Sequence, residues 1–325
     1  MIISQTPVRM SFFGGGTDFP EFYREHSGAV ISTTFDKYCH VNVRELPPLF
    51  DYKTFLSYAQ IERVNSVSEI KHPAIRNAME WLGLERIALN YDADIPSKTG
   101  LGTSSSFSVG LLNAFYTMQG ITKTKRELAD DAIYLERTLC REEGGIQDQI
   151  AAAFGGFNRI DFNAEGYTVT PLEIPEERKQ ILNGNLLMFF TGLSRFSFEI
   201  QKTTKVAMNQ KTAELLEMLE MVDVAENILI DSKTSLDDFG RLLNETWLLK
   251  RSISNKISTD YIDEIYHKAV TAGALGGKLL GAGGGGCLLF YVPEDKHESV
   301  RKALSGMLEI KFKFENEGTK IIVNN

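Results

Sequence analysis

An α+β protein of two domains is what this chain predicts, and three observations predict it. Short runs rich in β-branched and aromatic residues alternate with segments of helical apolar spacing, without a strict β-α-β rhythm. The 325 residues are 43% hydrophobic, enough for a large core in one or two domains. Between Pro171 and Gly184 the chain gathers prolines, charges and a late glycine, which reads as a division and gives domains 1–184 and 185–325.

The elements follow in order. Residues 2–11, 29–32, 38–45 and 55–64 read as strands separated by turns. Ile75, Met79 and Leu82 fall on one face of a helix over 72–82. A strand over 86–95 ends at Pro96, and an apolar helix over 105–118 ends at Gly120. Residues 125–140 read as a helix, 148–154 as a short one, and 157–162 with 167–172 as a hairpin. Leu186 to Thr191 reads as a strand, and 195–272 as helices broken near 232–235 and 254–259. A helix-like segment then precedes Gly281. A strand over 286–292, a helix over 293–306 and closing strands over 310–314 and 319–323 complete the chain.

Composition narrows the function. The net charge of −8 argues against a nucleic-acid binder, which needs a basic face. Local cations leave an anionic substrate open. Cys39, Cys140 and Cys287 are far apart and read as reduced, buried side chains rather than metal ligands or disulfides. The five histidines show no metal spacing. No apolar run reaches spanning length and no leader is evident, so a cytoplasmic protein that does not enter membranes is expected.

Three glycine-rich motifs carry the chemistry. The central one runs Pro96-Ser97-Lys98-Thr99-Gly100-Leu101-Gly102-Thr103-Ser104-Ser105 between a strand and a helix. Backbone N–H groups at such a helix start form an anion site, favoured by the helix dipole. Lys98, Gly100, Leu101, Gly102, Thr103, Ser104 and Ser105 are therefore candidates for phosphate contact. The hydroxyls could equally serve as plain helix caps. The last motif, Gly281-Ala282-Gly283-Gly284-Gly285-Gly286, also spells GxGxxG, but a strand follows it instead of a helix. A dinucleotide fingerprint has the opposite order, so that reading fails. So many glycines, Gly281, Gly283 and Gly284 among them, call for a close backbone neighbour at this turn. The first motif is Pro7-Val8-Arg9-Met10-Ser11-Phe12-Phe13-Gly14-Gly15-Gly16-Thr17-Asp18.

The order and spacing of these motifs resemble the GHMP kinases, named for galactokinase, homoserine kinase, mevalonate kinase and phosphomevalonate kinase. The resemblance covers nearly the whole chain. It implies a ribosomal-protein-S5-like N-terminal domain, a ferredoxin-like C-terminal domain, and ATP with Mg²⁺ between the glycine loops. Galactokinase carries Gly-Glu-His where this chain has Gly14-Gly15-Gly16. That variant resembles the branch acting on anomeric hydroxyls, including heptose 7-phosphate kinases and some fucokinases. The segments 190–197 and 244–251 resemble the heptose kinases too.

Residue by residue, the resemblance implies Asp148, in Gly145-Ile146-Gln147-Asp148-Gln149, as the group handling the acceptor proton. It implies Arg9 near the transferring phosphoryl, and Glu136 with Ser104 as Mg²⁺ ligands, Glu142 and Glu143 being alternatives. Gly15, Gly16, Thr17 and Asp18 would meet the sugar. Arg195, Lys202, Lys250 and Arg251 are candidates for a phosphate that the sugar already carries. The implied substrates are ATP and D-glycero-D-manno-heptose 7-phosphate, phosphorylated at O-1 toward nucleotide-activated heptose. An L-fucose kinase or a silent sugar/ATP sensor stays open, and a homodimer is compatible.

Overall fold

The structure is a computed structural model that describes residues 1–193 and 211–325. The described strands form two sheets, with helices packed against both. The α+β expectation holds.

Strand β1 (Ile2–Phe13) pairs antiparallel with β2 (Gly28–Glu45). The sequence suggests two strands where β2 is one. Val8 pairs with Phe35 and Pro7 with Tyr38, so Asp36 and Lys37 stand out of register. This bulge places polar residues mid-strand and hides its continuity. The run at 55–64 is a hairpin of β3 (Thr54–Ser57) and β4 (Ile61–Val64). Strands β5 (Ile87–Ala93), β6 (Phe157–Asn163) and β7 (Gly166–Pro171) complete most of this sheet. Its last members come from the far end of the chain, since 314–315 pairs with β2 and 320–324 with β1.

The second sheet contains β8 (Leu186–Phe190), β9 (Gly276–Leu279), β10 (Cys287–Tyr291) and β11 (Leu308–Glu309), in the order β11-β8-β10-β9, all antiparallel. Helices 212–230, 237–253 and 260–271 lie between β8 and β9, and 297–303 between β10 and β11. This is the β-α-β-β-α-β arrangement of ferredoxin-like units. The segment before Gly281 is thus a strand, not a helix. Its burial on every residue removes the alternation that would mark it.

The presumed linker also differs. Residues 176–185 form a helix capped by Pro175. Its prolines lie ahead of it, Glu176 and Glu177 suit its N-terminal dipole, and Leu182 is its one buried residue, so no apolar stripe announces it. The expected division at 184/185 falls where this helix meets β8, and we keep it as a proposed boundary.

Apolar packing welds the two sheets. Phe12 stacks on Phe157 at 5.4 Å, while Phe12 and Phe13 meet Phe239 edge-on at 5.3 and 5.1 Å. The end of β1 is therefore held against helix 237–253, which packs on the second sheet, and the glycine turn that follows it is held at the cleft.

Candidate active site

Helix Thr103–Met118 begins at Gly102 with no side-chain cap. Its first N–H groups are orphan donors facing a cavity lined by Lys98, Gly100, Gly102, Thr103, Ser104 and Ser105. The hydroxyls do not cap the helix. Ser104 is exposed, Ser105 donates to Glu136 at 3.0 Å, and the Thr103 hydroxyl is buried with no partner among the described residues.

The loop around Gly281 closes the opposite side. A Cβ on Gly100 would sit 2.2 Å from the Leu280 carbonyl oxygen, and one on Gly281 would sit 2.5 Å from Gly100 Cα. These glycines therefore let the two loops touch backbone to backbone.

Arg9 and Asp148 form the junction. Arg9 Nε and Nη2 donate to the two Asp148 carboxylate oxygens, both at 2.7 Å, and Nη1 donates to the Gly100 carbonyl at 2.7 Å. Arg9 is buried, whereas the Asp148 side chain keeps 27% of its surface open. Asp148 occupies the first turn of helix Gln147–Phe154, where the helix dipole favours an anion. A bidentate guanidinium fixes the plane of the carboxylate as well as its place.

Glu136 lies on a π-helical turn, Tyr134–Leu139, that interrupts the expected helix over 125–140. It is buried and accepts from Ser105 and from Gln149. Burial, then the nearby Glu142 charge, pushes its carboxyl up to about 7. Its second oxygen is buried with no partner among the described residues. An orphaned carboxylate oxygen beside hydroxyls at the wall of this cavity fits a hard cation such as Mg²⁺. Among the described residues no cluster of three or more His, Cys, Asp or Glu offers an all-protein metal cage.

A second cavity shares Arg9, Gly145, Asp148, Gly281 and Ala282 with the first and extends toward Gly15, Gly16, Asp18 and Lys250. Asp18 is buried, and its carboxylate accepts from the N–H groups of Gly16 at 3.0 Å and Gln147 at 3.3 Å. Burial raises its pKa, and the Asp148 charge adds to the effect. A Cβ on Gly145 would collide with this carboxylate at 1.8 Å, so glycine there admits Asp18 to the wall. Lys250 donates to the Gly281 carbonyl at 2.7 Å. Burial, then the Arg9 charge, pulls its ammonium down to about 8.

Known proteins show the same architecture. The family model described as GHMP kinases N terminal domain matches residues 67–156, and GHMP kinases C terminal matches 225–310. A Campylobacter jejuni protein named D-glycero-alpha-D-manno-heptose 7-phosphate kinase is 30% identical, with 98% of each chain covered. The chain belongs to the GHMP kinases. A solved structure described as a D-glycero-D-manno-heptose 1-phosphate kinase from Bacteriodes thetaiotaomicron superposes with a TM-score of 0.81 at 22% identity, covering 100% of both chains. A putative sugar kinase from Campylobacter jejuni gives 0.71 at 27% identity, with 98% of this chain and 97% of that one covered.

Not every residue singled out in this GHMP kinase reaches a cavity. Thr17 is fully buried, and its hydroxyl is occupied by the Gly14 and Ala29 carbonyls and the Ala29 N–H. It braces the turn instead of facing a sugar. Leu101 sends its side chain into the core, and its carbonyl accepts from the Arg9 N–H at 3.0 Å. The Gly284 N–H is bonded to the Ile257 carbonyl, and Gly284 lines neither cavity. Arg251 pairs with Asp263 at 2.6 Å on a different surface, beside Ser258 and Asp260. It does not join Lys250, because adjacent helix positions face different ways. Arg195 and Lys202 lie outside the described residues. Lys278, Ser11 and Gln147, which the sequence reading passed over, all line the second cavity. Ser11 sits inside the first motif and Gln147 next to Asp148, while Lys278 precedes Gly281 by three residues.

Proposed function

We propose that this GHMP kinase transfers the γ-phosphoryl group of ATP to O-1 of D-glycero-D-manno-heptose 7-phosphate, giving the 1,7-bisphosphate. The observation that carries the reading is the Arg9–Asp148 pair at the junction of a phosphate-side and an acceptor-side cavity. The full-length likeness to the Campylobacter jejuni heptose kinase supports the choice of acceptor. The reaction belongs in the cytoplasm, where ATP is plentiful.

Phosphoryl transfer needs positioning and charge stabilisation more than covalent chemistry. The uncapped N–H groups at Thr103 to Ser105 hold phosphate oxygens. Mg²⁺, when bound, supplies charge neutralisation at those oxygens, with Glu136 and Ser104 as the residues that would hold it. Asp148 accepts the proton of the attacking anomeric hydroxyl. Arg9 uses three of its five N–H donors on Asp148 and Gly100, leaving two for the transferring group. Asp18 orients the sugar as an acceptor, and Lys250 supplies positive charge on the acceptor side.

The test is sugar-dependent ADP release across a panel of neutral sugars and their phosphates. The heptose 7-phosphate should exceed the unphosphorylated heptose in kcat/KM by roughly ten- to a hundredfold, the worth of a charge-assisted contact. Equal efficiency on both would move the assignment to a neutral-sugar kinase.

A further inference from the structure

Three polar groups on the acceptor-side wall have no part in the scheme above. Ser11 is 7% exposed, and its hydroxyl is buried with no partner among the described residues. The Gln147 amide hydrogen-bonds Asp18 through its side chain, while its oxygen is buried and has no partner among the described residues. Lys278 is 2% exposed, and its Nζ donates to the Phe12 carbonyl at 2.6 Å. That bond uses one of its three N–H donors. The groups are neighbours. A Cβ on Gly15 would lie 3.7 Å from Ser11 Oγ and 3.8 Å from Gln147 Nε2, and Phe12 follows Ser11 in the chain.

Buried polar atoms are costly to leave unpaired, and most in folded proteins find partners. Burying an ammonium costs more still. Burial lowers the Lys278 pKa well below that of a free lysine, and the Lys250 and Arg9 charges lower it further. A wall carrying three such groups makes sense when a ligand completes them. The set offers donors from Lys278, an acceptor from Gln147 and either role from Ser11, beside the Asp18 acceptor. Vicinal hydroxyls both give and take hydrogen bonds, so a polyol satisfies all of these groups together.

We propose that Ser11, Gln147 and Lys278 are specificity determinants that read adjacent ring hydroxyls of the acceptor, a role that rests on the sugar-kinase reading. Lys278 enters from the second sheet and Ser11 from the first, so both sheets contribute to reading the hydroxyl pattern.

The test uses the full chain, with KM measured for the acceptor that the wild type turns over and for ATP. Ser11→Ala removes a hydroxyl that makes no bond among the described residues, so its melting temperature should hold or rise. Its acceptor KM should rise roughly three- to tenfold, as for a lost neutral hydrogen bond. Lys278→Met keeps the side-chain length and should raise the acceptor KM roughly ten- to a hundredfold. The KM for ATP should stay within about twofold in both variants, a split that a merely structural strut would not produce. Unchanged acceptor KM in both variants would overturn the inference and leave the kinase reading intact. Equal shifts in both KM values would overturn it as well. No sugar-dependent ADP release by the wild type would overturn the kinase reading and this inference together.

Discussion

The two cavities share Arg9 and Asp148 but are built in opposite ways. The phosphate-side cavity relies on local backbone: a helix start, two touching glycine loops and a few hydroxyls. The acceptor-side cavity relies on side chains distant in sequence: Asp18 from the turn after β1, Lys250 from helix 237–253 and Lys278 from β9, with Asp18 and Lys278 buried. Backbone donors need little beyond glycine and a helix, so one short motif specifies them. Buried charges need partners from elsewhere in the fold, so no short motif specifies them. Damage to the first cavity should therefore fall on nucleotide, damage to the second on acceptor, and damage to the shared pair on turnover.

The largest effect belongs to the shared pair. Asp148→Asn should lower kcat by roughly 10²- to 10⁴-fold while the KM for ATP changes little. Near-normal turnover would remove Asp148 from the chemistry. Next comes Lys250→Met, expected to cost roughly ten- to a hundredfold in kcat/KM for a phosphorylated acceptor. If its main effect were on ATP, the division between the cavities would blur.

Gly100→Ala sets a methyl group against the Leu280 carbonyl and must part the two loops. ATP affinity should fall roughly tenfold, equivalent to about 1.4 kcal/mol. Calorimetry showing normal affinity in the folded variant would contradict the loop contact.

Glu136 gives a smaller effect with a definite sign. Its carboxyl titrates near 7 in the fold against 4.5 when free, so the folded state holds the proton more tightly. Its contribution to stability is full below about pH 4.5 and is lost as pH rises toward 7. Without nucleotide, Glu136→Gln should melt roughly a few °C above the wild type at pH 8 and near it at pH 5. The same variant should need more Mg²⁺ for turnover. A higher melting temperature at pH 5 alone would reverse the sign and refute the burial argument. The smallest effect is Arg251→Ala, whose half-buried pair with Asp263 lies on a different surface and is worth about 1 kcal/mol, so acceptor kinetics should hold within about twofold.

The same contrast explains what the sequence revealed. The helix after the central glycine motif, expected from 105 and observed from Thr103, the strand ending before Pro96 and the Asp148 segment were legible because each is encoded within a dozen or so neighbouring residues. Glu136 was legible as a residue, but the π turn that aims it was not, since its backbone register leaves no trace in apolar spacing. Thr17 was misplaced because its burial depends on Gly14 and Ala29 meeting across the turn. Arg251 looked equivalent to Lys250 until the helix orientation separated them. Lys278 was overlooked because the strand that buries it shows no alternation, and its partner Phe12 is 266 positions away.

The most direct test of the central claim is phosphorus NMR of the product formed from ATP and D-glycero-D-manno-heptose 7-phosphate. The account predicts a sugar carrying two phosphates, the original ester and a new one whose phosphorus couples to the anomeric proton, with one ADP released for each. A new phosphate at any other carbon, or no sugar product while ATP is still bound, would contradict it.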